Sequence, residues 1–339
     1  MNYLFITVLH NLKLENIHNK GIKIGDNVRI SNGKAVLTET IRKKPLLFTM
    51  GEHSLMEFDD NTTYLYIQGM FNEVNTADEF IDINKNGIIV FKMLREVQSF
   101  MHKFWFVKDN SVYIRDGFLL IYDRKTNNNY INGRSFKGSL SEVLSKSNGN
   151  IEPVSFSADE IRQVYTDFSE DLNFSDIYWT TIDEKDEKTI GGKLPMPDIF
   201  LKEKDSNRVT RAEYFTIAAR GSSIIPTKLL NYISAFECLF TTTTNELAHQ
   251  ISERVAILLG ANIKERLQYY TDIKAAYNYR SKIVHGDSIK NYYKNIDSIE
   301  AICQKVDFVL RTALSKHTAI FTQTDEEIEN YFKSKLFRD

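Results

Sequence analysis

The spacing of apolar residues changes character once along this chain of 339 residues, and that change limits the folds open to it. Before Asp183 the apolar residues fall mostly in short alternating runs separated by turn residues, the pattern of strands. After Asn207 they recur at three- and four-residue steps, the pattern of helices packed side by side. Between the two lies the charge run Asp183-Glu184-Lys185-Asp186-Glu187-Lys188, followed by Gly191-Gly192, Pro195 and Pro197. Such a stretch suits a linker or a long exposed loop. The expected architecture is α+β: a β-rich N-terminal domain over 1–182 with one or two helices, a linker over 183–207, and an all-α helical bundle over 208–339.

Within the first part, Met1 to His10 reads as a first strand rather than a signal peptide, since it lacks a basic flank and a small-residue cleavage site. Asn27 to Ile30 and Ala35 to Thr38 flank Asn32-Gly33, a hairpin signal because Asn-Gly accepts the positive φ of a tight turn. A second hairpin is expected around Asp116-Gly117, between Val112-Tyr113-Ile114 and Phe118 to Ile121. Thr63 to Phe71 adds a strand. Phe91, Leu94, Val97, Met101 and Phe104 define a helix with one apolar face, laid across the sheet. Asn127 to Asn129 reads as a polar loop, and Ser157 introduces a helix over Asp159 to Phe168.

In the second part the spacing predicts a helix over Arg208 to Arg220 and another from Pro226 to Phe240, with Pro226 in a first turn where its missing amide costs nothing. Thr243 and Glu246 suggest a capping box for a helix ending near Gly260. A further helix ends near Gly286, another runs from Asp297 to Lys316, and Thr324 caps a last one with Ile328, Phe332 and Leu336 as its stripe.

Composition narrows the classes. The 42% hydrophobic and 26% charged content is that of a soluble globular protein, and the formal net charge of −2 argues against a uniformly basic nucleic-acid coat. From Arg208 to Lys316 there are 15 Lys+Arg against 10 Asp+Glu, a balance of +5, which tilts this part towards a polyanion. Cys238 and Cys303, each in an apolar helical pattern, read as buried thiols of a reducing, cytoplasmic compartment. No cofactor is expected, because CxxC pairs, a His-Glu-x-x-His motif, a phosphate loop and a dinucleotide fingerprint are all missing. No apolar run approaches the roughly 20 residues of a membrane span.

One stretch carries chemistry. Tyr277 to Asp287 reads Tyr-Asn-Tyr-Arg-Ser-Lys-Ile-Val-His-Gly-Asp and sets Arg280 five residues before His285. A guanidinium stays charged and grips phosphate oxygens through paired donors. An imidazole gives or takes a proton near neutral pH. On a regular helix the two differ by about 140° and about 7.5 Å, so one helix does not aim both at one point. A second copy across a two-fold axis supplies the missing partner. A structural alternative stands beside this: His285 capping the helix end, and Arg280 paired with Glu237 or Glu253.

Arg280-Ser281-Lys282-Ile283-Val284-His285-Gly286 resembles the Arg-x4-6-His motif of the HEPN superfamily, in its Apea-like branch. Leu229 to Phe240, with Glu237 inside it, resembles that branch's early helix, and Ile251 to Leu259, with Arg254, its middle helix. The resemblance covers roughly the last 130 residues and implies a HEPN bundle that dimerises around a composite site. It implies a metal-independent endoribonuclease, with prokaryotic anti-phage defence by abortive infection as its usual setting and RNA as substrate. Arg280 and His285 are then catalytic, and Ser281, Glu237, Arg254 and Tyr277 supporting, with Glu237 and Arg254 read as ion partners inside the bundle or as supports of the site. Ser281 stands where the family often has Asn, Asp or His, and suits an orienting hydrogen bonder. The N-terminal domain is left as the regulatory or targeting part, the place for a regulatory ligand or phage trigger. The other reading is a non-catalytic HEPN-like dimeric module that binds RNA or a partner protein.

Overall fold

The structure is a computed structural model that describes residues 1–34, 37, 41, 44–58, 62–72, 74–84, 87–123, 133–172, 207–286 and 296–337. Within these the protein is mixed α+β, an N-terminal antiparallel sheet followed by a helical region. Residues 183–206 of the expected linker, the loop Asn127 to Asn129 and the strand residues Ala35, Val36 and Thr38 lie outside the described residues, while Asn207, the linker's last residue, caps the helix that follows. The chain divides into two compact units, one of Met1–Val143 with Glu152–Pro195, the other of Leu144–Ile151 with Met196–Asp339.

The sheet of the first unit is built from β1 (Asn2–Val8), β3 (Ile22–Lys23), β4 (Val28–Ser31), β5 (Tyr64–Met70), β6 (Asp116–Tyr122) and β7 (Gly133–Ser139). Its order is β3-β4-β5-β1-β6-β7 with antiparallel neighbours throughout. A short β2 (Leu12–Leu14) pairs in parallel with β8 (Val154–Phe156) as a separate ribbon. Side chains alternate between the faces of a strand. Phe5, Ile67, Leu119 and Ile121 therefore join one core with Leu94, Val97 and Met101 of α3 (Ile88–Lys103). Leu4, Ile6, Tyr64, Tyr66 and Leu120 join another with Leu46 and Met50 of α1 (Lys44–Glu57). Both faces of β1 are thus covered, and its last six residues are all buried.

Neither sequence-read hairpin forms as expected. Asp116-Gly117 does not turn; it opens β6, where Gly117 faces Phe5 on β1 and Leu94 on α3. A Cβ there would lie 2.7 Å from Leu94 and 2.8 Å from Phe5, so this glycine lets a helix approach the sheet. At Asn32-Gly33, Lys34 and Leu37 are helical, and neither Asn32 nor Gly33 has positive φ. The Asn32 side-chain oxygen instead accepts from the His18 amide at 2.9 Å. Two further helices of this unit are α2 (Ala77–Ile83) and α4 (Ala158–Phe168). Ser157 and Glu160 form a reciprocal capping box for α4.

The helical unit contains α5 (Arg208–Arg220), α6 (Ile225–Phe240), α7 (Leu247–Leu259), α8 (Ile263–His285), α9 (Ile296–Lys316), α10 (Thr318–Phe321) and α11 (Asp325–Leu336). Helix α6 is its axis: Leu229, Tyr232, Ile233, Phe236, Leu239 and Phe240 are buried, and α5, α7, α8 and α9 all pack on it. The expected capping box of α7 is absent, because Glu246 itself is the N-cap, at φ 50°, and forms no side-chain cap. Ile328 and Phe332 of α11 are buried, whereas Leu336 is exposed. Cys303 is buried and Cys238 only half-buried.

Leu144–Ile151 departs from the sequence reading, which kept it with the N-terminal domain. Its Ser145 amide donates to the Arg220 carbonyl at 2.8 Å, and its hydroxyl to the Ser222 carbonyl at 2.7 Å. Beneath it the fully buried Lys228 donates to the carbonyls of Ala219 (2.9 Å) and Ser145 (3.3 Å). A buried ammonium is held only where such donors are satisfied.

Candidate functional site

Helix α8 presents the motif. Asn262 caps its start by accepting the Glu265 amide at 3.0 Å, and Gly286 ends it at φ 70°, with its amide turned back to the carbonyls of Ile283 and Lys282. The helix runs through His285 and buries only Ile273 and Ala276 of its 23 residues. At about 100° per residue, Arg280 falls on the same side as Ile273 and Ala276. His285 falls on an arc of about 100° that carries the exposed Ile263, Leu267 and Val284 as well as the half-buried Tyr270, Tyr277 and Ser281. Ile263, Leu267 and Val284 are 78%, 63% and 53% exposed.

Arg280 reaches inward to α6, its Nη2 lying 3.4 Å from Glu237 Oε1. Its guanidinium stands 5.6 Å from the centre of the Tyr277 ring, one turn earlier. Burial first, and then the Glu237 carboxylate to which it hydrogen-bonds, push the Tyr277 phenol up. The structure thus brings Arg280, Glu237 and Tyr277 together as one half-buried polar group. Glu253, the other partner weighed for Arg280, has no ion pair among the described residues.

His285 is exposed and has no hydrogen bond or ion pair among the described residues. It caps no carbonyl there, and its neighbour in the last turn is Lys282. Ser281 is half-buried, with no hydrogen-bond partner among the described residues.

Arg254 goes elsewhere. Only 4% exposed, it donates to the Phe240 carbonyl (2.8 Å) and to Thr242 Oγ1 (3.0 Å), and pairs with Glu329 of α11. The Thr242 hydroxyl first, and the Arg254 guanidinium after it, hold the Glu329 carboxyl below its usual range. Arg254 therefore ties α7 to the end of α6 and to α11. It is a bundle-internal clamp, with no hydrogen bond or ion pair to Glu237 among the described residues.

Sequence reading also missed a buried group on the other side of α6. Tyr232 donates to Asp307 Oδ1 at 2.8 Å, and Arg311 lies 3.4 Å from Asp307 Oδ2. The one available signal was an aspartate inside the apolar stripe of α9. No set of three His, Cys, Asp or Glu side chains among the described residues is arranged to hold a metal ion. No helix among them is long and apolar enough to cross a membrane.

Comparisons with protein-family models, with curated proteins and with solved structures gave no match to this chain. The HEPN resemblance therefore rests on the quoted residues alone.

Proposed function

We propose that this protein is an endoribonuclease of HEPN type, acting as a homodimer whose composite site draws Arg280 and His285 from two copies. The observation that carries the reading is the division of labour on α8: a guanidinium anchored by Glu237 and Tyr277, and an exposed imidazole one turn later with no partner among the described residues. Because α8 is regular through His285, one copy aims the two side chains about 140° apart. Two copies meeting along the arc of Ile263, Leu267 and Val284 would cover that apolar surface and set two such pairs around one phosphate. The negative end of a single helix repels a phosphate, so the charges of Arg280, Lys282 and a second copy are needed to hold one there.

In that cleft a neutral His285 takes the proton of the ribose 2′-hydroxyl as its oxygen attacks phosphorus. The bond from phosphorus to the 5′-oxygen breaks, and a protonated His285 from the other copy returns a proton to the leaving oxygen. Arg280 stabilises the charge that grows on the non-bridging oxygens. The products are a 2′,3′-cyclic phosphate and a 5′-hydroxyl. These steps require no metal. The family's usual setting, abortive infection in prokaryotic anti-phage defence within the cytoplasm, is carried over with the resemblance.

The Arg280–Glu237 ion pair favours a second reading, a non-catalytic dimeric module binding RNA or a partner protein, in which Arg280 only braces α8 against α6. Incubation with structured RNA in the presence of chelator separates the two. The nuclease should leave cyclic-phosphate ends, and His285→Ala and Arg280→Ala should each slow cleavage by about 10²–10⁴. Arg280→Lys should recover part of the rate, since it keeps charge without the two-donor fork. Dimeric, folded variants that cleave at the parent rate would end the catalytic reading.

A further inference from the structure

The sheet unit holds a pocket that the α8 chemistry leaves unused. It is a cleft of about 230 Å³ whose apolar walls include Val8, Leu9, Leu12 and Pro153. His10, Asn11, Lys13, Glu57, Thr62 and Thr63 supply its polar groups. Three strands' ends bring them together: Val8 pairs with Tyr64, the Leu9 amide donates to the Thr63 carbonyl at 2.8 Å, and His10 bridges to Tyr113.

Two of these groups lack partners. Thr63 is 2% exposed, and its hydroxyl has no hydrogen bond; His10 Nε2 is buried and has none either. Buried polar atoms left this way are uncommon in folded proteins and call for a partner. The walls are also fixed in advance. The His10 ring stacks on Tyr113, with centroids 4.8 Å apart and planes at 15°. Asn11 is held at φ 62° by side-chain bonds to the Ser111 carbonyl (3.1 Å) and hydroxyl (3.3 Å), while its own carbonyl accepts the Val154 amide at 2.8 Å.

Charge selects the class of occupant. Glu57 is paired with Arg115, so the carboxylate beside the pocket is already neutralised. Its Oε2 lies 3.7 Å from His10 Nε2, too far for a hydrogen bond. Burial, with Arg115 next in weight, holds His10 at a pKa of about 4, so the imidazole is neutral at pH 7. The lining cation, Lys13, is exposed to solvent, and the buried groups, a neutral imidazole and a hydroxyl, offer an anion no charge; a divalent ion has no three-ligand set among the described residues. The volume is below the about 300–1,000 Å³ of sites for drug-sized ligands.

We propose that this pocket binds a small uncharged heterocycle of nucleobase size, whose edge pairs a donor and an acceptor with His10 and Thr63. The proposal is independent of the α8 reading, and its test uses no nuclease activity. The full chain is titrated with free uracil, cytosine, adenine and hypoxanthine, and in parallel with ATP and Mg²⁺, by calorimetry and by the NMR signals of the His10 ring. One of the bases should bind one to one and shift the His10 signals. Thr63→Val, which keeps the shape and removes the hydroxyl, should weaken that binding about tenfold or more. The same variant should leave the melting temperature of the empty protein unchanged or raised, because it removes an unsatisfied buried group. His10→Phe, which retains the stacking on Tyr113, should weaken binding likewise. The idea is overturned if none of the four bases binds, if only ATP or Mg²⁺ does, or if Thr63→Val binds as tightly as the parent. A fall in the stability of empty Thr63→Val also overturns it, since the hydroxyl would then be doing structural work.

Discussion

Strand β1 and helix α8 sit at opposite extremes of this molecule. Six of seven residues of β1 are buried, with a helix over each face of its sheet, whereas α8 buries two of 23. Nearly every side chain of β1 is spent on holding the fold. Most of α8 is free of that duty, and its exposed residues include apolar side chains and a histidine that has no partner among the described residues. A long helix that costs its unit little burial but leaves apolar side chains and a histidine exposed is placed for contact with something else.

The largest effect should come from breaking β1. Phe5 is fully buried between Ile67, Leu119 and α3, so Phe5→Ala should cost the sheet unit about 3–5 kcal/mol, read by urea denaturation. His285→Ala, at an exposed position, should change stability by about 0.5 kcal/mol or less. Comparable losses from the two would mean that the end of α8 is as structural as β1.

Acid provides a second lever on the sheet unit, through His10. His10 has a folded-state pKa of about 4, below its usual 6.5, with Arg115 lowering it further and Asp116 opposing. Between those values the unfolded chain binds more protons, so stability rises with pH through the window. The His10 contribution is complete above pH 6.5 and lost as pH falls through 4, a change on the order of 3 kcal/mol. Urea midpoints at pH 7, 5.5 and 4 should diverge between parent and His10→Phe, the parent losing more. Parallel curves would show that His10 is not held neutral by the fold.

Within the helical unit the two arginines sharpen the contrast. Arg254→Ala leaves the Phe240 carbonyl, Thr242 and Glu329 without their shared donor, and should cost about 2–3 kcal/mol. That is less than the roughly 3–5 kcal/mol of a fully buried pair, because Glu329 retains contact with water. Arg280→Ala, in a half-exposed pair, should cost about 1 kcal/mol or less. If Arg280→Ala proves the costlier, α8 depends on its arginine as a brace and the binding-module reading gains.

How much of this was visible in the sequence follows the same division. Periodicity found the helices, because one-sided burial writes itself into spacing: Leu94, Val97 and Met101 do face the sheet, and Ile328 and Phe332 do face the bundle. It failed at Asp116-Gly117, where a glycine needed for close packing of Leu94 looks the same on paper as one needed for a turn. It failed again at His10, Glu57, Thr63 and Arg115, which lie far apart in the chain and meet only through sheet pairing and packing. Arg280 and His285 were legible because they are neighbours on one helix. Arg254 was read as an ion partner inside the bundle or as a support of the site; it is the former, and its partner, Glu329, lies 75 residues away.

The smallest expected effect concerns the residue that ends α8. Gly286 adopts φ 70°, and a Cβ built on it meets nothing within 4 Å, so a substitution there encounters strain but no clash. Gly286→Ala should therefore cost about 1 kcal/mol, the price of a left-handed conformation for a residue with a side chain. Gly286→Asn should cost clearly less, since asparagine tolerates that region. Amide hydrogen exchange would locate the loss: protection should fall in the last turn, from Lys282 to His285, and stay unchanged around Ile273. If His285 works from an ordered helix end, cleavage of RNA should fall more in the alanine variant than in the asparagine one. Equal costs for the two substitutions would show that the left-handed turn does not set the helix end, and would remove the reason for expecting His285 to be held in place by Gly286.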